Sequence, residues 1–351
     1  MFRNSRRLAL AVVMAALALA GCGAGHAPDA RTPIVLRYAS PYPPGHPFSQ
    51  ADIAWMHHVE AASHGRLKFK TFWGGSLISS DNATLELMHG VADVALVTPI
   101  YSRAGMRAIK TQTGFYTGAV TPDDQVQVYR CLQHGFPVLD DEMAGVRVLA
   151  IQGGSLPNVI TRGRPVRTLA DFRGLRLRTP AEFAPLLRQL GADPVTMPMA
   201  EVYSALSKGI IDGVVAPPDT LKAMHFSEVA NTLSYFSTPR GAYPARAISL
   251  RAWRRLPPDL RAVLSDSEGF WEYQLDARVK QAASDGTAFG HAHGERFVQP
   301  SVADQAMFLS LYDASSLKQA ASRSAPGFDG LAMYAAAHQA IARLEKGQPA
   351  C

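Results

Sequence analysis

Apolar residues recur along the first hundred residues at two alternating periods. "IVLRYAS" (34–40) reads as an apolar-rich strand, and in "HPFSQADIAWMHHVEAASHG" the residues Ile53, Met56 and Val59 return at helical spacing until Gly65 ends the run. The strand "RLKFKTF", the turn "WGGS", a helix around "DNATLELMHG" and the strand "DVALV" follow. Strands alternating with helices predict a mostly parallel sheet covered by helices.

Part of this unit returns later in the chain. Residues 87–99 read "LMHGVADVALVTP" and residues 206–218 read "LSKGIIDGVVAPP", sharing the leucine, the glycine, the aspartate and the last proline. Each reads as a glycine-capped helix end, a tight turn at Asp93 or Asp212, and a buried strand stopped by proline. Two unrelated helix-to-strand turns would share the glycine, but agreement in spacing and polarity throughout favours a structural echo. The pattern predicts two α/β lobes, residues 33–155 and 156–243, facing each other across a crevice at their strand ends, Thr98–Pro99 and Ala216–Pro217. Residues from about 244 to 283 are expected to return to the first lobe, those from about 284 to 345 to pack on the second, and the helical stretch from about Pro258 to Phe297 to run along both.

"GLRLRTP" (174–180) predicts a strand with Leu175 and Leu177 turned to the core and Arg176 and Arg178 to the other face. Arg178 falls at the carboxyl end, where the crevice lies, and Pro180 fits the first turn of a following helix. A guanidinium fork near a helix N-terminus suits a carboxylate. From spacing alone the two arginines read equally well as solvated edge residues.

The amino end adds an address. Arg3, Arg6 and Arg7 precede an apolar run from Leu8 to Ala20, and "LAGC" places Cys22 where a lipobox has its lipidated cysteine. Residues 1–21 are thus expected to be a lipoprotein signal peptide, and 22–32 a lipidated tether of small polar residues, outside the cytoplasmic membrane. Loss of three arginines and no acid lowers the formal charge from +6 to +3, too little to argue for nucleic acid. Of the remaining cysteines, Cys131 and Cys351, an oxidising compartment permits a bridge whose geometry the sequence does not decide. No cysteine and histidine spacing resembles a metal site, and His57-His58 reads as a helix surface. The chain has no nucleophile elbow and no Gly-rich phosphate cradle, so no catalytic residue and no cofactor is assigned.

The run from Pro165 to Pro218, with "TLADFRGLRLRTP", "LGADPV", "MP", "EVYSAL" and "DG" in order, resembles the core of the solute-binding subunits of tripartite ATP-independent periplasmic (TRAP) transporters, the DctP-like family. "HGRLKFKTFWGGSL" and "LMHGVADVALV" are similar to family segments in the same order, so the likeness covers most of residues 33–265. It implies a two-lobed periplasmic-binding-protein fold of α/β class with a long helix spanning both lobes. It also implies a receptor that captures a small organic acid for a permease of small and large membrane subunits. Arg178 then matches the arginine that clamps the ligand carboxylate, Met199 matches a residue against the ligand, and Asn158, Thr98 and Ala216 match positions lining the cleft. Read by themselves, Met199 fits core filler equally well, Asn158 a turn closer and Thr98 a strand end.

The departures bear on the ligand. Sialic-acid binders of the family have a second arginine where Asn158 aligns and an asparagine where Ala216 aligns. Metal-assisted keto-acid binders have a glutamate soon after "DG", where this chain continues Val214-Val215-Ala216. One anchoring arginine, a wall of Met199, Val215 and Ala216, and the aromatic candidates Tyr42, Tyr101 and Phe183 favour a monocarboxylate with an apolar or aromatic body and no metal. A sensor that presents the loaded lobes to a membrane kinase would use the same cleft.

Overall fold

The computed structural model describes residues 32–351. The expected signal peptide, the lipidation site Cys22 and all of the tether but its last residue lie outside them.

Two mixed sheets organise the chain. The first has the order β2 (Leu67–Phe72), β1 (Ile34–Ala39), β3 (Val94–Leu96), β10 (Tyr243–Ser249) and β4 (Val146–Gln152). The second runs β11 (Arg296–Val298), β9 (Thr232–Ser234), β5 (Asn158–Thr161), β8 (Gly213–Ala216), β6 (Arg176–Arg178) and β7 (Asp193–Val195). Each contains parallel pairs joined through helices, β1 with β3 and β6 with both β8 and β7, and one antiparallel strand inserted beside them, β10 or β5. These inserted strands follow the two segments that pass between the sheets, 153–157 and 235–242. In the second sheet Val159, Leu177 and Val215 enter one cluster with Phe172, Phe236 and Phe308, whereas Ile160, Val214 and Ala216 enter another with Leu221 and Leu233. Burial of both faces explains why "GVVA" is apolar throughout rather than alternating.

The echoed turns superimpose in chemistry as well as in sequence. In the first lobe the Asp93 carboxylate accepts from the backbone N–H and Nε of Arg37 at 2.9 and 3.1 Å, while Arg37 Nη2 donates to the Gly90 carbonyl at 2.9 Å. In the second lobe Asp212 accepts from the same two groups of Arg176 at 2.9 and 3.2 Å, and Arg176 Nη2 donates to Gly209 at 2.9 Å. Gly90 and Gly209 both have positive φ, as the turn that ends each helix requires. Arg176 is therefore an exposed clamp within its own lobe, the counterpart of Arg37. Arg178 has Ala39 at the corresponding place and is free for another task.

Two expectations are corrected. The helix after "GLRLRTP" does not start at Pro180: residues 181–183 form a turn and the helix spans Ala184–Gln189. Pro185 lies at the start of that helix, and its ring and missing N–H would disrupt a helix begun a turn earlier. The six-residue helix is too far along for its N-terminus to be the partner foreseen for Arg178. The second correction is at the C-terminal end. Helix Gly330–Leu344 packs on Pro122–Gly135 of the first lobe, with Met333, Ala337 and Ile341 in one cluster with Val128 and Leu132. Cys131 and Cys351 are disulfide-bonded, Cα atoms 5.7 Å apart, which ties the chain end to the same helix. Before helix Gly330–Leu344, β11 pairs with β9 in the second sheet and helix Val302–Arg323 reaches the second lobe through Phe308 and Tyr312.

The long helix Glu268–Ala292 runs beside both sheets, packing on Pro47–Ala62 and β4 at one end and on Thr220–Ala223 at the other. His57 and His58 are exposed on Pro47–Ala62, and His58 stacks on Phe270. Just beyond the long helix, Glu295 is 8% exposed, its Oε1 has no hydrogen-bond partner among the described residues, and burial raises its carboxyl to about 7. In the unfolded chain a glutamate loses its proton near pH 4.3. The penalty is therefore absent below about pH 4, grows as pH rises to 7, and is constant above it. Glu295→Gln is expected to leave the melting temperature unchanged at pH 4 and to stabilise the fold by up to about 3 kcal/mol at pH 8. Thermal denaturation at the two pH values checks this, and equal effects at both would refute it.

Candidate functional site

Between the sheets lies a cavity of about 80 Å³. The first lobe contributes Tyr42, His46 and Phe48 from the loop and helix start after β1, and Ile100 and Tyr101 from the turn after β3. The second contributes Arg178, Phe183, Met199, Val215 and Asp219, and the passing segments add Pro157 and Arg240.

Arg178 is 1% exposed. Its Nε and Nη2 donate to the Met197 carbonyl at 2.9 and 2.8 Å, and Nη2 donates at 2.8 Å to the Tyr101 hydroxyl of the other lobe. The guanidinium carbon lies 5.5 Å from the centre of the Tyr101 ring. Nη1 makes no hydrogen bond among the described residues. A guanidinium held along one edge in an apolar enclosure is suited to an anion, because low dielectric strengthens the pair and fixed geometry lowers the entropy lost on binding.

Burial shifts the surrounding groups toward their uncharged forms. Burial, with Arg246 and Arg240 nearby, lowers His46 to about 3, so its ring is uncharged and stacks on Tyr42 with centroids 4.3 Å apart. Burial likewise pushes the Tyr42 phenol far up, against the pull of Arg178 and Arg240. Glu182 is raised by burial, with Arg178 and Arg323 opposing. Asp219 is raised to about 7, again by burial, with Arg240 opposing. Among the described residues no group of histidine, cysteine, aspartate and glutamate side chains could hold a metal ion, and no helix is long and apolar enough to cross a membrane.

Of the residues singled out in the sequence, Arg178, Met199, Val215, Tyr101, Tyr42 and Phe183 come together in this wall. Asn158, Thr98 and Ala216 do not. Ala216 follows Val215 on β8, and successive strand residues face opposite sides, so it joins the cluster of Leu221 and Leu233. Asn158 pairs with Ala216 across the strands; its Nδ2 donates to the Leu156 carbonyl at 3.2 Å and its Oδ1 accepts from Ser237 at 3.4 Å, linking the two passing segments. The Thr98 hydroxyl donates to the carbonyl of Ser80. Arg240, Asp219, Glu182 and His46 were missed. Arg240 could have been found as the cation inside "TPRGAYP", had that stretch been recognised as a connection between lobes. Asp219 could have been found as the acid just beyond the "GVVAPP" strand end.

Two α/β lobes connected by two crossing segments around a buried, cation-bearing cavity define a two-lobed solute-binding protein. The model of the DctP family, bacterial extracellular solute-binding protein family 7, matches residues 38–308, and the chain belongs to that family of TRAP solute-binding subunits, which are binding proteins and not enzymes. A solute-binding protein of Albidiferax ferrireducens is 27% identical over 214 residues, 59% of this chain and 61% of its own length. The 2,3-diketo-L-gulonate-binding periplasmic protein YiaO of Escherichia coli is 32% identical over 152 residues, 41% of this chain and 45% of its own. The chain thus spans less than two thirds of either relative. Among solved structures, a TRAP solute-binding protein of Rhodoferax ferrireducens with copurified benzoate has a TM-score of 0.78 at 23% identity, covering 90% of this chain and 99% of that one. A Bordetella bronchiseptica counterpart with bound mandelate has 0.76 at 20%, covering 89% and 100%. At such identities the likeness shows the shared fold.

Proposed function

We propose that this protein captures a small organic acid outside the cytoplasmic membrane and delivers it to a TRAP-type secondary transporter, with Arg178 gripping the carboxylate and Tyr42, Phe48, Phe183, Met199 and Val215 enclosing an apolar or aromatic body. The observation that carries this reading is the buried Arg178 guanidinium, fixed by Met197 and Tyr101 inside an otherwise mostly apolar wall. The benzoate and mandelate bound by the Rhodoferax and Bordetella proteins are aryl monocarboxylates, which supports the ligand class. In this reading the lobes close about segments 153–157 and 235–242, excluding water from the ion pair. Residues 1–21 direct export, and Cys22 carries the lipid that keeps the receptor near its permease. A thermal-shift screen of the purified protein tests the ligand class, because a ligand bound only to the native state raises the melting temperature by mass action. Aromatic and apolar monocarboxylates are expected to give the largest shifts; stabilisation by dicarboxylates alone would overturn the proposal.

A further inference from the structure

The cavity wall carries a second pair of polar side chains, Arg240 and Asp219. Arg240, half-buried in the segment between β9 and β10, packs its guanidinium over Gly154 of the other passing segment, where any side chain at 154 would collide with it. Asp219, in the turn after β8, is 7% exposed, and its Oδ1 has no hydrogen-bond partner among the described residues. Its backbone rests on Gly286 of the long helix, too close for a Cβ there, so the turn cannot withdraw. Both side chains line the cavity that Arg178 lines.

Arg240 is the cation that acts on Asp219, Arg178 acts on Glu182, and Tyr42 lies within reach of both arginines. The wall therefore holds, besides Arg178 with its free Nη1, a second cation and a carboxyl with an unused acceptor. Resting on the reading of Arg178 as the carboxylate anchor, we propose that Arg240 and Asp219 form a hydroxyl-recognising subsite, so that the ligand is a carboxylic acid that also carries a hydroxyl group.

A hydroxyl matches this pair because one oxygen can donate to Asp219 Oδ1 and accept from Arg240. A second carboxylate would meet the Asp219 carboxyl, and an ammonium would meet Arg240. A purely apolar end would leave Asp219 buried without a partner, and sites built to hydrogen-bond a hydroxyl reject the analogue that lacks it.

Calorimetric titration of the purified protein with matched acids tests the subsite: phenylacetate against 3- and 4-hydroxyphenylacetate, hexanoate against 6-hydroxyhexanoate, and 1,3-phenylenediacetate as the dicarboxylate. At least one hydroxy acid is expected to bind tenfold or more tightly than its parent. Arg240→Ala and Asp219→Ala should each reduce that preference to threefold or less. Asp219→Asn keeps the shape and one acceptor, serves if Asp219→Ala does not fold, and should retain part of the preference. Arg178→Ala should weaken parent and hydroxy acid alike. If every hydroxy acid binds within threefold of its parent while Arg178→Ala abolishes both, the subsite fails and the carboxylate reading stands. Preference for the dicarboxylate would make Arg240 a second anion anchor and overturn the proposal. If no acid binds, or Arg178→Ala has no effect, the carboxylate reading itself fails and the subsite with it.

Discussion

Arg178→Ala is expected to weaken binding of the best organic acid by about thirtyfold or more, because truncating one partner of a buried hydrogen-bonded charge pair costs about 2–5 kcal/mol and tenfold in affinity is 1.4 kcal/mol. The substitution also removes donors to the Met197 carbonyl and the Tyr101 hydroxyl, so a stability loss on the order of 1–3 kcal/mol accompanies it. Arg178→Lys separates the two effects. It retains the charge but cannot satisfy Met197, Tyr101 and a carboxylate with one fork, so affinity should fall although the site stays cationic. Arg176→Ala is the control: that side chain is exposed and clamps Asp212 within its own lobe, and affinity should stay within about twofold. Isothermal titration of the three variants, with melting curves to verify folding, decides the matter. Loss of binding in Arg176→Ala rather than Arg178→Ala would overturn the assignment.

Asp52→Ala is expected to destabilise the protein by about 3–5 kcal/mol, the cost of leaving a buried charge without its partner. Asp52 and Arg246 are both 0% exposed and paired at 2.8 Å. Asp52 also accepts from Trp271 Nε1 at 2.8 Å and from the Tyr38 hydroxyl, and Arg246 donates to Gln152. One carboxylate thus connects β1, β10, β4 and the long helix beneath the cavity floor, and Trp55 stacks on Trp271 with centroids 3.6 Å apart. Removing it alone leaves the Arg246 guanidinium stranded. Asp52→Leu combined with Arg246→Met should be less destabilised than Asp52→Ala, since replacing both partners removes the desolvation cost as well as the attraction. Chemical denaturation measures all three proteins; a loss below about 1 kcal/mol for Asp52→Ala would show that the pair contributes little.

The echo of "LMHGVADVALVTP" in "LSKGIIDGVVAPP" reported two lobes because a helix end, a glycine turn and a buried strand are local objects, and the structure extends that echo to Arg37 and Arg176. Arg178 was legible for a related reason. Alternation along "GLRLRT" turns both arginines from the core, and position along the strand separates them. The start of the next helix was misplaced because Pro180 looks like a first-turn proline until Pro185 is weighed against it. Helix Gly330–Leu344 was assigned to the wrong lobe because its apolar face fits any apolar surface, and only its packing on Pro122–Gly135 and the Cys131–Cys351 bridge select one.

Local periodicity and turn chemistry, carried by neighbours in the chain, were enough for the lobes and the strand directions around Arg178, and the ordered motifs from Pro165 to Pro218 carried the resemblance to the family. Which residues share the cavity was decided by tertiary structure alone. Tyr42 and Arg240 are far apart in sequence, and meet only because β10 returns to the first sheet after the chain has built the second. The same return buries Arg246 against Asp52 and places Arg240 and Asp219 in one wall with Arg178. No window of sequence contains such pairs, because their proximity is set by sheet order and by the helix that spans both lobes.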